Sequence, residues 1–400
     1  MTPYPHQTTN ARDLFLAVQA HGCALDVSDT GTGKSLTALI VAAALERNPF
    51  VICPLSVGPG WEAKFAAVGV EGGWLNYEKA RKPGWTPPPN SLVIFDEAHR
   101  CKSPSSKQAE LLMRVSATHS TLLLSATPFA SPLDTRAVMH ATRVCNWNNW
   151  YSLLPRLGCR RVKHLHNSWQ WNGQAATLDT MRAMLAPLMV KTRWADVPGF
   201  PDLIIQPEAV PVADPKAVDA ALRTIAASHK LDLVKTLEAR MLVESAKVLA
   251  MIDLALDLEA QGNSVVAFFN FTAPLRAFAA DVGAAIIDGS TPGSERGQIV
   301  SQFQSSLTPR FLACNIRAGG EGIDLHDTVG VPRVALHCPT WSAQDAKQAF
   351  GRIHRVGAKS RAVQKIIFAA KTLDERVLRV MQTKANNIAT LTDQDLTPEI

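Results

Sequence analysis

The stretch that most constrains this chain is Ser28-Asp29-Thr30-Gly31-Thr32-Gly33-Lys34-Ser35. It follows an apolar run, Cys23 to Val27, and precedes a helix-forming one, Leu36 to Leu45, so it reads as strand, phosphate loop and helix. Gly31 and Gly33 let the backbone turn its N–H groups toward a polyphosphate, with Thr30 and Thr32 completing the cradle. Lys34 can reach the β- and γ-phosphates, and the Ser35 hydroxyl can bind Mg²⁺. Ser28 stands where the strict pattern has its first glycine. The loop alone leaves kinases, GTPases and ATPases open.

A loop of this kind belongs at the end of a parallel strand, and further strand-length apolar runs recur between helical stretches. They are Phe50 to Leu55, Ser91 to Phe95, Thr121 to Leu124, Val265 to Phe269, Phe311 to Cys314 and Val334 to His337. The alternation predicts an α/β chain with mainly parallel sheets flanked by helices. At 400 residues the length exceeds what one core fills, so two domains are expected. The prolines from Pro198 to Pro215 mark the seam, predicting a first domain over 1–195, a linker over 196–230 and a second domain over 231–400. No internal repeat is visible.

Composition narrows the class only slightly. Hydrophobic content of 46% and charged content of 19% fit a globular enzyme rather than a disordered chain. The net charge of +6, from 41 basic against 35 acidic residues, favours an anionic partner modestly. Seven scattered cysteines without a C-x-x-C pair point to a reducing compartment and no zinc site. With no leader after Met1 and no apolar run of ~18 residues, the expectation is a soluble, intracellular protein with no membrane partner.

Two more boxes carry chemistry. Ser91 to Phe95 ends in Asp96-Glu97-Ala98-His99, and a strand tip beside a phosphate loop is where a metal-binding aspartate belongs. Asp96 would hold Mg²⁺ and Glu97 would direct or deprotonate water; a solvated acidic turn is the plainer alternative. In the second half, Gln348 precedes Arg352 and Arg355, whose i, i+3 spacing puts both guanidinium groups on one helix face, able to meet one anion. Two arginines on a solvated face are the plainer alternative there.

Taken in order, Gly33-Lys34-Ser35, Asp96-Glu97-Ala98-His99 and Ser125-Ala126-Thr127 resemble the ATPase core of superfamily-two helicases. Further stretches resemble the SWI/SNF-type DNA translocases among them: Pro3-Tyr4-Pro5-His6-Gln7, Leu75-Asn76-Tyr77-Glu78, His99 to Lys107, Trp341 with Gln348 to Gly357, and Thr372 to Val377. A segment from Ser168 to Gly173, with Met189 to Val197, is similar to the annealing or fork-remodelling helicases, although Lys191-Thr192-Arg193 replaces their paired arginines. The resemblance implies two tandem RecA-like domains, ATP and Mg²⁺, and a motor without accessory modules, of the sort met in phage or bacterial genomes. It implies adenine contact by Gln7, nucleotide contacts by Gly322 and Asp324, arginine fingers at Arg352 and Arg355, and coupling through Ser125 and Thr127. It assigns nucleic-acid contacts to Pro54, Ser56, Lys102, Ser103, Asn270, Phe271, Arg317, Gly319 and Gly320, and a monomer as the working unit.

Between Thr135 and Leu178 there is no acidic residue, while Arg136, Arg143, Arg156, Arg160, Arg161 and Lys163 stand with Trp147, Trp150, Trp169 and Trp171. Cations neutralise phosphates and flat rings stack on bases, so this region, with Arg160, Arg161 and Lys163 foremost, is expected to contact DNA. The tryptophans taken one at a time read as core. The expected activity is an ATP-dependent DNA translocase or helicase acting on duplex, forked or single-stranded DNA. A strand-separating DNA or RNA helicase and an ATP-gated nucleic-acid scaffold are the alternatives.

Overall fold

The computed structural model describes residues 3–392 apart from 104, 147, 163–168, 227–232 and 320–322. The expected strands are present and others join them. In chain order the first eight are β1 (Cys23–Asp26), β2 (Asn48–Cys53), β3 (Gly73–Asn76), β4 (Ser91–Asp96), β5 (Thr121–Leu124), β6 (Cys159–Arg161), β7 (Trp169–Trp171) and β8 (Met189–Val190). Six follow: β9 (Leu203–Val210), β10 (Ser264–Phe269), β11 (Ala285–Ile287), β12 (Phe311–Asn315), β13 (Arg333–His337) and β14 (Ala362–Ala369).

Two six-stranded sheets result, ordered β3-β2-β4-β5-β1-β8 and β11-β12-β10-β13-β14-β9. Every pairing within them is parallel. Residues 3–198 with 385–392 form one compact unit and residues 199–384 the other, one sheet in each. Strand side chains alternate between faces, so each sheet feeds two cores. In the first unit Leu25, Ile52, Val93, Phe95 and Leu123 fill one face, while Ala24, Val51, Ile94, Leu122 and Leu124 fill the other. In the second, Val265, Ala267 and Phe269 face one core and Val266 and Phe268 the opposite one. Both faces are covered by helices, which is why these strands are continuous apolar runs rather than alternating ones.

The border falls at Pro198 and Gly199. Residues 196–230, read as a linker from their prolines, instead contain β9 and the helix Pro215–Ala226. β9 lies in register with β14 from Leu203↔Ala362 to Val210↔Ala369. It is the sheet's edge, where the missing N–H of Pro207 costs no ladder bond on the open side. β14 escapes the apolar pattern because Gln364 and Lys365 interrupt it. Gln364 is nonetheless buried, its Oε1 2.6 Å from His337 Nε2 and its Nε2 donating to the Phe350 carbonyl at 2.8 Å. β6 and β7 form a separate antiparallel hairpin, Cys159↔Trp171 to Arg161↔Trp169. No helix is long and apolar enough to cross a membrane, among the described residues.

Candidate nucleotide-binding and nucleic-acid sites

β1 ends at Asp26 and the chain turns through residues 27–33 before the helix Lys34–Ala44 begins. Gly31 and Gly33 adopt φ of 80° and 91°, the left-handed region that the turn requires. A Cβ on Gly33 would lie 2.0 Å from Gln7 Nε2, so glycine is also needed for close approach. Gln7, buried on the helix Pro5–His21, donates from Nε2 to the Thr32 carbonyl at 3.3 Å, and His6 Nε2 lies 2.9 Å from the same oxygen. The Lys34 ammonium donates to the Ser28 and Asp29 carbonyls, each at 2.8 Å. A loop that wraps its lysine in its own carbonyls, beside a helix N-terminus, has the form of a polyphosphate cradle. The hydroxyl of Thr30 is buried with no hydrogen-bond partner, and Thr32 and Ser35 lie in the same turn.

Beneath the loop sits a group the sequence reading passed over. Asp26 is fully buried; its Oδ1 accepts the Ser28 N–H at 2.9 Å and its Oδ2 has no partner. Burial pushes its carboxyl above the usual carboxylate range, with the Lys34 charge opposing.

β4 delivers the acidic pair. Asp96 Oδ2 accepts the Trp61 indole N–H at 2.8 Å and its Oδ1 accepts the Glu97 N–H at 2.9 Å, while Tyr77 Oη donates to the Asp96 carbonyl at 2.9 Å. Desolvation, then the adjoining Glu97 charge, raises the Asp96 carboxyl above its ordinary value. Glu97 itself is left-handed, φ 53° and ψ 47°, an uncommon conformation for a non-glycine residue that turns the strand sharply into the short helix Ala98–Cys101. Its Oε2 lies 3.2 Å from His99 Nδ1, which lies 3.4 Å from Ser125 Oγ. Ser125 Oγ in turn accepts the Thr127 N–H at 3.2 Å. His99 thus joins the expected water-directing residue to the expected coupling pair, a role the sequence reading did not assign. Trp61 carries no local signal, and Tyr77, though part of the Leu75 to Glu78 stretch, gives no sign of its partner, because both reach Asp96 across the sheet.

In the second unit Arg352 and Arg355 are placed otherwise than their i, i+3 spacing predicts. The helix Ala343–Ile353 ends before Arg355, so the two do not share a helix face. The chain leaves the helix at His354, whose ring is 2.8 Å from the Pro201 carbonyl and edge-on to Phe200. Both guanidinium groups nevertheless reach one segment: Arg352 Nη1 donates to the Ile323 carbonyl at 3.1 Å, and Arg355 Nη2 pairs with Asp324 Oδ1 at 2.8 Å. Gln348 is buried on the same helix as Arg352. Gly322 and Gly320 lie outside the described residues.

The expected nucleic-acid contacts divide. Pro54 is buried and its carbonyl takes the Val57 N–H, while Ser56 and Ser103 are exposed and Lys102 is half-buried. Asn270 and Phe271 serve their own unit, giving their N–H groups to Glu244 Oε1 at 2.9 and 3.0 Å. Arg317 is exposed and 3.4 Å from Asp345, and Gly319 is a glycine because a Cβ there would sit 2.6 Å from that of Cys314. Arg160 and Arg161 are exposed on β6, and Arg161 lies over the Trp169 ring at 5.6 Å. Trp169 stacks on Tyr151 at 6.4 Å, and Arg136 covers the other ring of that series, 4.5 Å from Tyr151. Arg136, expected in the basic patch, is instead buried against Tyr151, while Trp150 is buried as the tryptophans taken one at a time read. Lys163, with Trp147, lies outside the described residues.

Residues 246–357 match the helicase conserved C-terminal domain family. Over 451 aligned residues the chain is 26% identical to L364, an ATP-dependent RNA helicase candidate of Acanthamoeba polyphaga mimivirus, covering 98% of this chain and 84% of that protein. It is 27% identical to the DNA annealing helicase and endonuclease ZRANB3 of Mus musculus, covering 74% of this chain but only 29% of that protein's length. Among solved structures, the SWI2/SNF2 ATPase core of Sulfolobus solfataricus in complex with dsDNA aligns with 98% of this chain and 95% of that one, at 15% identity and a TM-score of 0.45.

The buried Asp26 yields a signed prediction. Its folded-state carboxyl is raised, so the cost of burying the charge is present above that raised value and disappears as pH falls below it. Asp26→Asn should therefore raise stability at pH 8, measured by urea unfolding, with the gain shrinking and then vanishing as pH falls toward the ordinary carboxylate range. An undiminished gain in acid contradicts this assignment.

Proposed function

We propose that the chain is a member of the SWI/SNF-type superfamily-two helicase family and, from that premise, a nucleic-acid-stimulated ATPase that translocates on DNA. The observation that carries the reading is the connected series Asp96, Glu97, His99 and Ser125 at the carboxyl ends of β4 and β5, with the Lys34 loop at the same end of β1, where parallel sheets bind their ligands. Lys34 leaves its two loop carbonyls for the β- and γ-phosphates. Ser35 and Asp96 would hold Mg²⁺, which offsets charge on the phosphate oxygens when bound. Glu97, fixed by its left-handed turn, orients the attacking water, and His99 reports the state of Glu97 to Ser125 and Thr127.

Arg352 and Arg355, drawn together by Ile323 and Asp324, are the proposed source of positive charge for the transferring phosphoryl group. Glu97 and Gln348 favour turnover over an ATP-gated scaffold, which has no use for a water-directing carboxylate. The hairpin supplies a grip on the track: Arg160 and Arg161 extend from a base anchored by Trp150, Tyr151 and Arg136, in a stretch without acidic residues. Arg317 and Ser56 are the proposed second line of phosphate contacts. No base-reading helix is proposed, so recognition rests on DNA structure rather than sequence. A monomer is the proposed working unit.

Steady-state ATP hydrolysis with single-stranded, duplex and forked DNA tests this reading, with RNA as the comparison. The expected outcome is turnover that rises steeply with DNA and falls at least about 100-fold in Glu97→Gln. Full turnover in that variant removes the role assigned to Glu97, and greater stimulation by RNA favours the RNA helicase reading. The Arg160→Ala/Arg161→Ala double variant should weaken DNA binding and reduce the slope of log affinity against log salt by about 1–2. An unchanged slope removes the hairpin from the track.

A further inference from the structure

The first half of the phosphate loop is not held by the loop alone. Where the ladder between β1 and β8 stops, the segment after β8 continues beside the loop and bonds to it residue by residue. Val27 N–H donates to the Val190 carbonyl at 2.9 Å and Asp29 N–H to the Thr192 carbonyl at 3.0 Å. In the opposite direction, Thr192 N–H donates to Ser28 Oγ at 2.9 Å and Trp194 N–H to Asp29 Oδ2 at 3.0 Å. The indole N–H of Trp194 donates to the Thr30 carbonyl at 2.8 Å. Asn10 ties the strap from behind, its Nδ2 donating to Thr192 Oγ1 at 2.8 Å and lying 3.4 Å from Ser28 Oγ. Ser28 and Asp29 are the same residues whose carbonyls hold the Lys34 ammonium.

The strap also has a fixed destination. Directly after Trp194, Asp196 Oδ2 accepts the Arg193 N–H at 3.0 Å and closes a short helical turn, Val197 is buried, and the border between the two units follows at Pro198 and Gly199. The residues that fix the loop are therefore within seven positions of the point where the chain passes into the second unit.

We propose that Thr192 and Trp194 are positioning residues of the nucleotide cradle: they bind Ser28, Asp29 and Thr30 to the strap after β8, so that the cradle and the crossover at Pro198–Gly199 respond to nucleotide as one body. The inference rests on the nucleotide reading of the loop. Neither residue touches the phosphates; both act through the loop backbone. Ser28 at the position of the pattern's first glycine fits this role, because a serine hydroxyl can accept the Thr192 N–H where glycine offers no side chain.

The test is Trp194→Phe in the full chain, which keeps an aromatic ring and the backbone N–H but removes the indole donor. Its folded state is checked by circular dichroism. Two readouts are taken: KM and kcat for ATP with saturating DNA, and amide hydrogen exchange over residues 191–200 with and without a non-hydrolysable ATP analogue and Mg²⁺. The wild type should show slower exchange over 191–200 on binding the analogue. Trp194→Phe should raise KM about five- to tenfold, the loss of one buried hydrogen bond, with kcat within about twofold, and should abolish the nucleotide-dependent protection. Unchanged KM overturns the proposal, as does a raised KM with the protection intact, which would make the indole a packing group only. Failure of the wild type to bind the analogue at all would instead overturn the nucleotide reading itself.

Discussion

The ammonium of Lys34 organises the first unit. It is held by two backbone carbonyls of its own loop, and for those carbonyls to point inward the chain must turn through left-handed conformations at Gly31 and Gly33. The turn brings Gln7 and His6 onto the Thr32 carbonyl from one side and the strap after β8 onto Ser28, Asp29 and Thr30 from the other. A cation surrounded by neutral oxygens is a temporary arrangement. Charge-assisted bonds to phosphate oxygens are stronger than those to neutral carbonyls, so the proposed exchange of partners by Lys34 would be favourable on nucleotide binding. The buried Asp26 carboxyl below the loop is tied to the same turn, its Oδ1 accepting the Ser28 N–H.

The second unit is organised around polar groups of another kind. Glu244 gathers the N–H groups of Asn270 and Phe271, and Arg240 lies over the rings of Phe271 and Trp341 at 5.7 and 5.6 Å. Lys247, wholly buried, is bonded to the Ile367 carbonyl and to Asp374 at the start of the last helix. Removing one partner of such a pair leaves a buried charge uncompensated, which costs about 3–5 kcal/mol. The loops after β10 and β13 are thus braced from within, and Arg352 and Arg355 emerge from a helix end fixed by His354 on Pro201. Rigid placement of guanidinium groups is what electrostatic stabilisation of a phosphoryl group requires.

What was legible in the sequence was local. Gly31, Gly33, Lys34 and the Asp96-Glu97 pair are read from consecutive residues at the end of apolar strands, and the structure has them there. The links between them were not legible, because they join residues far apart in the chain. Asn10 and Thr192 are 182 positions apart, Ser28 and Thr192 are 164, and Trp61 and Asp96 are 35. Prolines misled at β9, where an edge strand tolerates what a central strand cannot. Helical spacing misled at Arg355, where a histidine ring that turns back to a carbonyl ended the helix two residues early. The basic stretch before Leu178 was legible as charge, but the division of labour between Arg136, buried under Tyr151, and Arg160, exposed on β6, depends on tertiary packing.

The central claim is that the loop from Ser28 to Ser35 is a nucleotide cradle whose lysine is released to phosphate. Calorimetric titration of ATP with Mg²⁺ into the full chain, beside the Lys34→Ala variant, tests it most directly. The account predicts one nucleotide bound per chain by the wild type and at least about a tenfold loss of affinity in the variant. Equal affinity in the two proteins, or no binding by either, would contradict it.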